Sequence, residues 1–285
     1  MKTLTLNPNQ CVAGFALRTA VLAMALATAS AFSAEVMVGS ASGQRLVLFT
    51  SDNPEDASVI NIKGMQPGEE ILGVDQRPAT GQLYGLGSSS RLYTFDLVNG
   101  TATPVGTGPF ATTLSGTSLG FDFNPTVDRI RIVSNTGQNL RAHPVTGAIA
   151  AVDSALAYAT NDVAAGTSPL VVASAYINND NNTNTGTVLF NIDAGTDTLV
   201  MQTPPNNGTL LTMGALGIDV TAVAGFDVAA SDGAAYAALV EAGQPGKSDR
   251  ASLYSVNLAT GAVTSLGKLG GPKPLMSLAT LGQVP

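Results

Sequence analysis

The sequence predicts an all-β protein: a five-bladed β-propeller closed by pairing of its C-terminal strand with the N-terminal blade. Three observations lead to this prediction. Turn-forming dipeptides recur along the chain while helical periodicity is scarce, which is typical of all-β folds. A hairpin-like segment occurs five times, and an apolar strand at the C-terminus has no hairpin after it.

The repeated hairpins begin at residues 46, 92, 140, 189 and 253, so successive starts are 46, 48, 49 and 64 residues apart. Their sequences are LVLFTSDNPEDASVI, LYTFDLVNGTATPVG, LRAHPVTGAIAAVD, LFNIDAGTDTLVMQ and LYSVNLATGAVTSLG. A period of about 40 to 50 residues is typical of four-stranded propeller blades. We therefore assign one hairpin to each of five blades.

A second repeated piece supplies the innermost strand of each blade. It reads ILGVD from residue 71, SLGFD from 118, LVVASA from 170, VAGFD from 223 and MSLATL from 276. The last copy has no hairpin after it, and the first hairpin has no such piece before it, so MSLATL is predicted to complete the N-terminal blade. A linear β-solenoid is the alternative, but it predicts capped ends instead of a strand missing at one end and surplus at the other.

The N-terminal residues have the layout of a secretory signal peptide. Lys2 and Arg18 precede an apolar run from Ala20 to Ala29, and Ala29-Ser30-Ala31 matches the small-residue cleavage pattern. We expect residues 1–31 to be a Sec-type signal peptide and residues 32–285 to be a single propeller domain. Cleavage after Ala34 is the alternative site. A membrane anchor is disfavoured because the run is shorter than the roughly 20 residues that span a bilayer, so we expect a secreted or periplasmic protein.

Charge and cysteine content narrow the possible functions. The chain has 13 basic and 20 acidic residues, and removal of Lys2 and Arg18 leaves a mature net charge of −9. Such a balance disfavours nucleic acid as a partner. The one cysteine, Cys11, lies in the predicted signal peptide, so neither disulfides nor thiol chemistry is expected in the mature protein.

The segment from residue 120 to 144, GFDFNPTVDRIRIVSNTGQNLRAHP, carries the densest charges of the chain. Its alternation predicts a meander of three strands, with Arg129 and Arg131 on the face opposite Ile130 and Ile132. We consider two roles for the arginines: an inter-blade ion network with Asp122, Asp128 and the preceding blade's Asp75, or an anion site for a carboxylate, sulfate or acidic sugar. The candidate ligand-binding residues are Arg129, Arg131, Asn139, Arg141, Asp122 and Asp128.

Three inner strands end in aspartate, at Asp75, Asp122 and Asp227. A row of inward carboxylates could line a central channel and bind a metal. We prefer a structural role, in which each side chain accepts hydrogen bonds from the amides of the turn that follows.

A second candidate metal site is the loop NNDNNTNTG at residues 178–186, where Asp180, Asn182 and Asn184 alternate as oxygen donors. The glycine and the closing glutamate of a calcium loop are not in place, so calcium is only a weak candidate and no other cofactor is expected. The stretch QTPPNNGTLLTMGALG from residue 202 is a long connection of the kind that often carries binding groups.

Motifs for catalysis are scarce. His143 is the only histidine and precedes Pro144 in a hairpin turn, where we expect a surface position. The sequence has no G-x-S-x-G elbow and no phosphate-cradling loop. We therefore favour a non-catalytic module that binds a small molecule, glycan or protein at one end of the ring. The alternative is a hydrolase of saccharides or lactones that uses Asp and Glu from several blades, with or without calcium.

The segment GFDFNPTVDRIRIVSNTGQNLRAHPVTG, together with AYINND from residue 175 and MQTPPNNGTL from 201, resembles the bacterial secreted family of domain of unknown function 4394. The resemblance covers roughly residues 43 to 280. It implies an exported, propeller-like domain and provides no catalytic residues to assign.

Overall fold

The computed structural model describes residues 34–243 and 250–284, and regular structure in these ranges is almost entirely β-strand. The strands are β1 (Glu35–Ala41), β2 (Arg45–Thr50), β3 (Asn53–Asn61), β4 (Ile71–Gln76), β5 (Leu83–Gly87), β6 (Arg91–Asp96), β7 (Thr101–Val105), β8 (Leu119–Asn124), β9 (Arg129–Ser134), β10 (Asn139–Ala142), β11 (Ile149–Val152), β12 (Ala157–Tyr158), β13 (Val171–Tyr176), β14 (Leu189–Asp193), β15 (Thr198–Gln202), β16 (Thr209–Ala215), β17 (Val220–Val228), β18 (Ala235–Glu241), β19 (Ser252–Val256), β20 (Val263–Lys268) and β21 (Leu275–Gln283). A short 3-10 turn, Pro205–Asn207, precedes β16. The predicted signal peptide lies outside the described residues. Within them, no helix has the length and apolar character needed to cross a membrane.

The strands form five sheets, which are the five blades of a propeller. From the axis outwards, blade 1 has the order β21-β1-β2-β3, blade 2 β4-β5-β6-β7, blade 3 β8-β9-β10-β11, blade 4 β13-β14-β15-β16 and blade 5 β17-β18-β19-β20. Blade 4 carries the two-residue strand β12 parallel to its outer strand. The predicted all-β, five-bladed fold is confirmed.

Closure of the ring also follows the prediction. Strand β21 pairs antiparallel with β1, so that Ala279 lies opposite Val38 and Leu278 opposite Gly39. The five inner strands β21, β4, β8, β13 and β17 pack against one another in that order around the axis. The C-terminal strand therefore completes the N-terminal blade.

The arginine-rich segment forms the first three strands of blade 3. Ile130 and Ile132 on β9 are fully buried in the apolar core shared with blade 2. Arg131, between them in sequence, points to the other face, towards blade 4. The alternation in the sequence predicted this division because successive side chains of a strand lie on opposite faces.

The fourth repeat departs from the sequence-based alignment. In the other blades the repeated hairpin forms the third and fourth strands, but the hairpin from residue 189 forms β14 and β15, the second and third strands of blade 4. The fourth strand, β16, comes from the stretch that starts at residue 202. That stretch is therefore part of the blade, with a short loop at residues 203–208, and is not a long connection throughout.

Small residues let neighbouring inner strands approach closely. At Gly120 on β8, a Cβ atom would overlap the Ser174 side chain of β13. At Gly225 on β17, a Cβ atom would lie 2.7 Å from the main-chain nitrogen of Leu278 on β21. Because the obstructing atoms include main-chain atoms, these positions exclude any larger side chain without a shift of the blades.

Apolar cores lie between each pair of neighbouring blades, but they differ in size. Among the described residues, four of these cores contain ten to sixteen buried residues. The core between blades 3 and 4 contains six, including Val133, Tyr158 and Val200. Polar side chains occupy much of the remaining interface between these two blades, and the candidate site lies there.

Candidate functional site: an arginine-lined cavity

A cavity of about 210 Å³ lies between blades 3 and 4, at the end of the ring where the inner strands finish. Its walls combine cationic groups of blade 3 with aromatic, proline and amide groups of blade 4. The residues that line it include Arg129, Arg131, Arg141, Tyr176, Pro204 and Asn206. A Pro-rich loop after β15 and the loop between β8 and β9 form the rim.

Arg131 forms the buried floor of the cavity and is 2% exposed. Its Nη1 donates to Asp153 Oδ2 at 2.6 Å and to Asn139 Oδ1 at 2.8 Å. Its Nη2 donates to Asn206 Oδ1 at 2.7 Å, and its Nε donates to the Tyr176 hydroxyl at 3.3 Å. An arginine has five N–H donors, so protein acceptors occupy almost all of this guanidinium group.

Asp153, just after β11, is the counter-ion of two arginines. Arg141 binds it through both oxygens, with Nε to Oδ2 at 2.8 Å and Nη2 to Oδ1 at 2.9 Å. Burial raises the pKa of Asp153, but the hydrogen bonds from Arg141 and Arg131 outweigh burial, so the pKa lies below its ordinary value. The carboxylate is therefore ionised at neutral pH and shared by both cations.

Arg129, at the start of β9, is bound differently. Its Nη1 donates to the main-chain carbonyl oxygens of Val127 at 3.3 Å and Asp128 at 2.8 Å. Within the described residues, its Nε and Nη2 donate to no protein acceptor. These two groups form one edge of the planar guanidinium, which is the geometry that binds a carboxylate in bidentate fashion.

The cavity is electropositive on an otherwise acidic protein. Three guanidinium groups line it and, in the part of the chain that the structure describes, the Asp153 carboxylate is the one negative charge paired with them, whereas the full chain has a net charge of −7. Two positive charges are thus in excess at this position. A cleft with charge of one sign concentrates ions of the opposite sign.

The structure brings some of the predicted site residues together and separates others. Arg129, Arg131 and Arg141 line the cavity, and Asn139 lies behind it as a buried partner of Arg131. Asp122 and Asp128 are not among the residues that line it.

The predicted partners of the arginines are wrong. Asp128 binds Arg77 of blade 2, with Nη2 to Oδ2 at 2.5 Å and Nε to Oδ1 at 2.8 Å. Asp122 and Asp75 instead accept main-chain N–H groups of the next blade. The counter-ion of Arg131 is Asp153, which β11 places on the same face of blade 3. Local proximity in the sequence favoured Asp128, but the turn at residues 125–128 directs that side chain towards blade 2.

Asp75, Asp122 and Asp227 meet at the ring axis, where one carboxylate oxygen of each lies within 4.8 Å of the others. Each accepts a main-chain N–H from the neighbouring blade: Asp75 from Phe123 at 2.7 Å, Asp122 from Tyr176 at 2.9 Å and Asp227 from Thr280 at 2.6 Å. The prediction that these carboxylates accept main-chain hydrogen bonds is correct. The predicted donors are wrong, because these bonds come from the adjacent blade and not from the following turn. The next residue of the same strand contributes as well, since the N–H groups of Gln76 and Val228 donate to Asp75 and Asp227.

Burial and mutual repulsion perturb these three carboxyl groups. Burial, then the charge of Asp227, raises the pKa of Asp75 well above its ordinary value. Burial, then the charges of Asp75 and Asp227, does the same for Asp122. Burial raises the pKa of Asp227 to about 6. Three carboxylate oxygens at this spacing are donors that hard cations accept, but each side chain is at most 3% exposed, so no substrate can reach them.

The other candidate positions have local roles. The Asp180 carboxylate accepts the Asn182 N–H and the Thr185 hydroxyl, and Asn182 Oδ1 accepts the Asn184 N–H. These exposed contacts shape their own loop. His143 Nδ1 accepts the Val145 N–H within the hairpin turn and the residue is partly exposed.

Sequence reasoning missed four contributors to the cavity: Asp153, Tyr176, Pro204 and Asn206. The proline and asparagine lie in the stretch from residue 202 that was noted as a possible carrier of binding groups. Asp153 ends the third repeated hairpin, and Tyr176 ends the inner strand of blade 4. Their juxtaposition depends on the packing of two blades, which periodicity within one blade cannot reveal.

Comparison with known protein families shows which family this chain belongs to. The family model for domain of unknown function DUF4394 matches residues 45–279. The chain belongs to the DUF4394 family. The match begins at β2 and ends within the closing strand β21, so it includes strands of all five blades. A search of curated proteins returns no match.

The DUF4394 propeller is also similar to a solved structure of a structural-genomics protein of unknown function from Bacteroides thetaiotaomicron. The identity is 13%, the TM-score is 0.51, and the alignment covers 89% of this chain. This chain spans 66% of the length of that protein. At this identity the likeness concerns the fold alone.

Proposed function

We propose that this DUF4394 propeller is an exported, non-catalytic module that binds a small anionic ligand in the cavity between blades 3 and 4. The observation that carries the proposal concerns Arg129, which lines the cavity and whose Nε and Nη2 groups have no protein acceptor among the described residues. Export is supported by the signal-peptide pattern of residues 1–31.

The geometry around Arg129 favours binding over a purely structural role. A buried cation that serves only the fold is expected to have its donors satisfied by protein groups, and Arg131 fits that description. Arg129 and Arg141 also line the cavity, and each keeps guanidinium donors without a protein acceptor among the described residues. The two excess positive charges favour an anion there. Arg131 and Asp153 act as the rigid support on which the other two arginines are placed.

Buried carboxylates argue against the alternative hydrolase. A hydrolase built from several blades needs carboxylates that meet a substrate, and Asp75, Asp122 and Asp227 converge at the axis with at most 3% of each residue exposed. We expect no turnover from a panel of chromogenic glycosides and lactones, with or without calcium. Turnover that is lost in Asp122→Asn would show that the proposal is wrong.

Anion binding can be measured through thermal unfolding in sodium sulfate and in sodium chloride at equal ionic strength. Sulfate stabilises most proteins by exclusion from their surface, so the informative quantity is the difference between proteins. The double variant Arg129→Gln/Arg141→Gln should show a smaller sulfate-induced rise in melting temperature than the wild type. Arg91→Gln, an arginine of blade 2 outside the cavity, is the matched control. Equal sulfate-induced rises in all three proteins would contradict the proposal.

A further inference from the structure

The guanidinium edge left open on Arg129 has two occupied counterparts in the same region. Arg77 binds Asp128 through its Nε and Nη2, at 2.8 and 2.5 Å. Arg141 binds Asp153 through the same two nitrogens. In both pairs the acceptor is a carboxylate held by two parallel hydrogen bonds. The corresponding nitrogens of Arg129 lack such a partner among the described residues.

The cavity walls beside Arg129 suit a carbon skeleton that carries hydroxyl groups. The rings of the exposed Pro204 and the half-buried Pro205 provide apolar surface, whereas Tyr176 is 1% exposed and adds little. Asn206 and Asn124 also line the cavity, and their side-chain oxygens are already used as acceptors of protein N–H groups. Their side-chain NH₂ groups donate to no protein acceptor among the described residues. Hydroxyl oxygens of a ligand are suitable acceptors for them.

Size limits the ligand further. Sites for drug-sized molecules have volumes of about 300 to 1,000 Å³, and the cavity of about 210 Å³ is smaller. It can take one sugar-sized unit but not an extended chain. The rim at residues 203–208 and 125–128 leaves it open to solvent, so the unit can be a free molecule or the end of a polymer.

From these features we infer that the cavity binds a sugar acid, with its carboxylate on the Nε and Nη2 groups of Arg129 and its ring against Pro204 and Pro205. The inference rests on the proposed anion-binding function and specifies its ligand class. The second cationic group facing the ligand, Arg141, is anchored to Asp153 and adds charge without needing to move.

Isothermal titration calorimetry with glucuronate tests this inference. We expect binding to the wild type and equal binding to the control variant Arg91→Gln. Arg129→Gln should bind about tenfold or more weakly because a bidentate charge-assisted contact is lost. Arg129→Lys should also bind more weakly than the wild type, because an ammonium group keeps the charge but not the fork. Glucose and the methyl ester of glucuronate, which lack the charge, should not bind measurably.

Two results would overturn the inference, and they are distinguishable from failure of the proposed function. Equal binding of glucuronate to the wild type and to Arg129→Gln would show that Arg129 does not take part in binding. Sulfate that binds in an Arg129-dependent way while glucuronate does not would show that the ligand class is wrong, although anion binding would stand. If neither anion binds the wild type, the proposed function fails together with the inference. The hydrogen bonds of Arg129 go to carbonyl groups of its own loop, so its variants should fold, which a melting curve checks.

Discussion

Arg131 and Arg141, opposite each other on adjacent strands of blade 3, share the single carboxylate of Asp153. Arg131 is buried and contacts blade 4 through Tyr176 and Asn206, whereas about one third of the Arg141 side chain is exposed. The two arginines therefore have different roles at this interface. Arg131 holds blades 3 and 4 together, and Arg141 lines the cavity.

This division predicts unequal effects of mutation on stability. Arg131→Ala should lower the free energy of unfolding by about 3–5 kcal/mol, because it leaves the buried Asn139 without this donor and the Asp153 carboxylate with only the partly exposed Arg141. Arg141→Ala should cost no more than about 1 kcal/mol, because exposed ion pairs contribute little and Asp153 keeps Arg131. Urea unfolding of both variants measures the difference. Equal losses would show that Arg131 has no special role in joining the blades.

The axial carboxyl groups predict a fall in stability with rising pH. Their pKa values are raised in the folded protein, to about 6 for Asp227, compared with about 3.9 in an unfolded chain. The folded state thus binds more protons, and the stability that this contributes is present below about pH 4 and is lost as the pH rises through the folded pKa values.

Asp122→Asn should flatten that fall between pH 5 and 8. The amide oxygen can still accept the Tyr176 N–H, and one of three repelling charges is removed. Asp96→Asn is the matched control: hydrogen bonds from Asn99 lower the pKa of the exposed Asp96, so it is already ionised throughout this range. Urea unfolding at pH 5, 6, 7 and 8 provides the measurement. A slope unchanged by Asp122→Asn would show that the axial cluster does not titrate there.

Ring closure predicts that the chain tolerates no loss of β21. Deletion of residues 275–285 removes the inner strand of blade 1, including the Thr280 groups that bind Asp227. It also exposes the edge of β1, and an unpaired edge promotes aggregation. We expect loss of cooperative thermal unfolding. A truncated protein with a single transition near the full-length melting temperature would contradict closure by this strand.

Contacts between inner strands predict a specific glycine requirement. Gly120→Ala should destabilise the protein because its Cβ would overlap the side chain of Ser174 and lie 2.8 Å from its main-chain nitrogen, and overpacking typically costs about 1–3 kcal/mol. Gly108→Ala is the control, since its Cβ would meet no atom within 4 Å. Differential scanning calorimetry of the two variants should show a lower melting temperature for Gly120→Ala alone.

Much of this fold was predictable because each blade repeats the same local pattern. The missing inner strand before β1 and the surplus strand β21 specified how the ring closes, and alternation placed Arg131 opposite the isoleucines. The hairpin of blade 4 was assigned to the wrong strands, because β14 and β15 resemble the outer hairpins of the other blades in sequence. The fourth strand, β16, has no such pattern.

The candidate site was predictable only in part. Arg129, Arg131 and Arg141 follow from strand alternation within blade 3. Asn206 could not be paired with Arg131 from sequence, because residues 75 apart in the chain meet only when blade 4 packs on blade 3. Asp153 lies on the same blade, but it follows the short strand β11, and Asp128 was nearer in the chain. The inner-strand aspartates were identified from the repeats, but their hydrogen bonds to the next blade were not, since these form through the ring and not through local turns.

The most direct measurement of the central claim is the position of the sugar carboxylate in a crystal structure of the protein with glucuronate. We predict both carboxylate oxygens at about 2.7–2.9 Å from Nε and Nη2 of Arg129, with the sugar ring against Pro204 and Pro205. Glucuronate bound elsewhere on the ring, or bound in this cavity without contact to Arg129, would contradict the account.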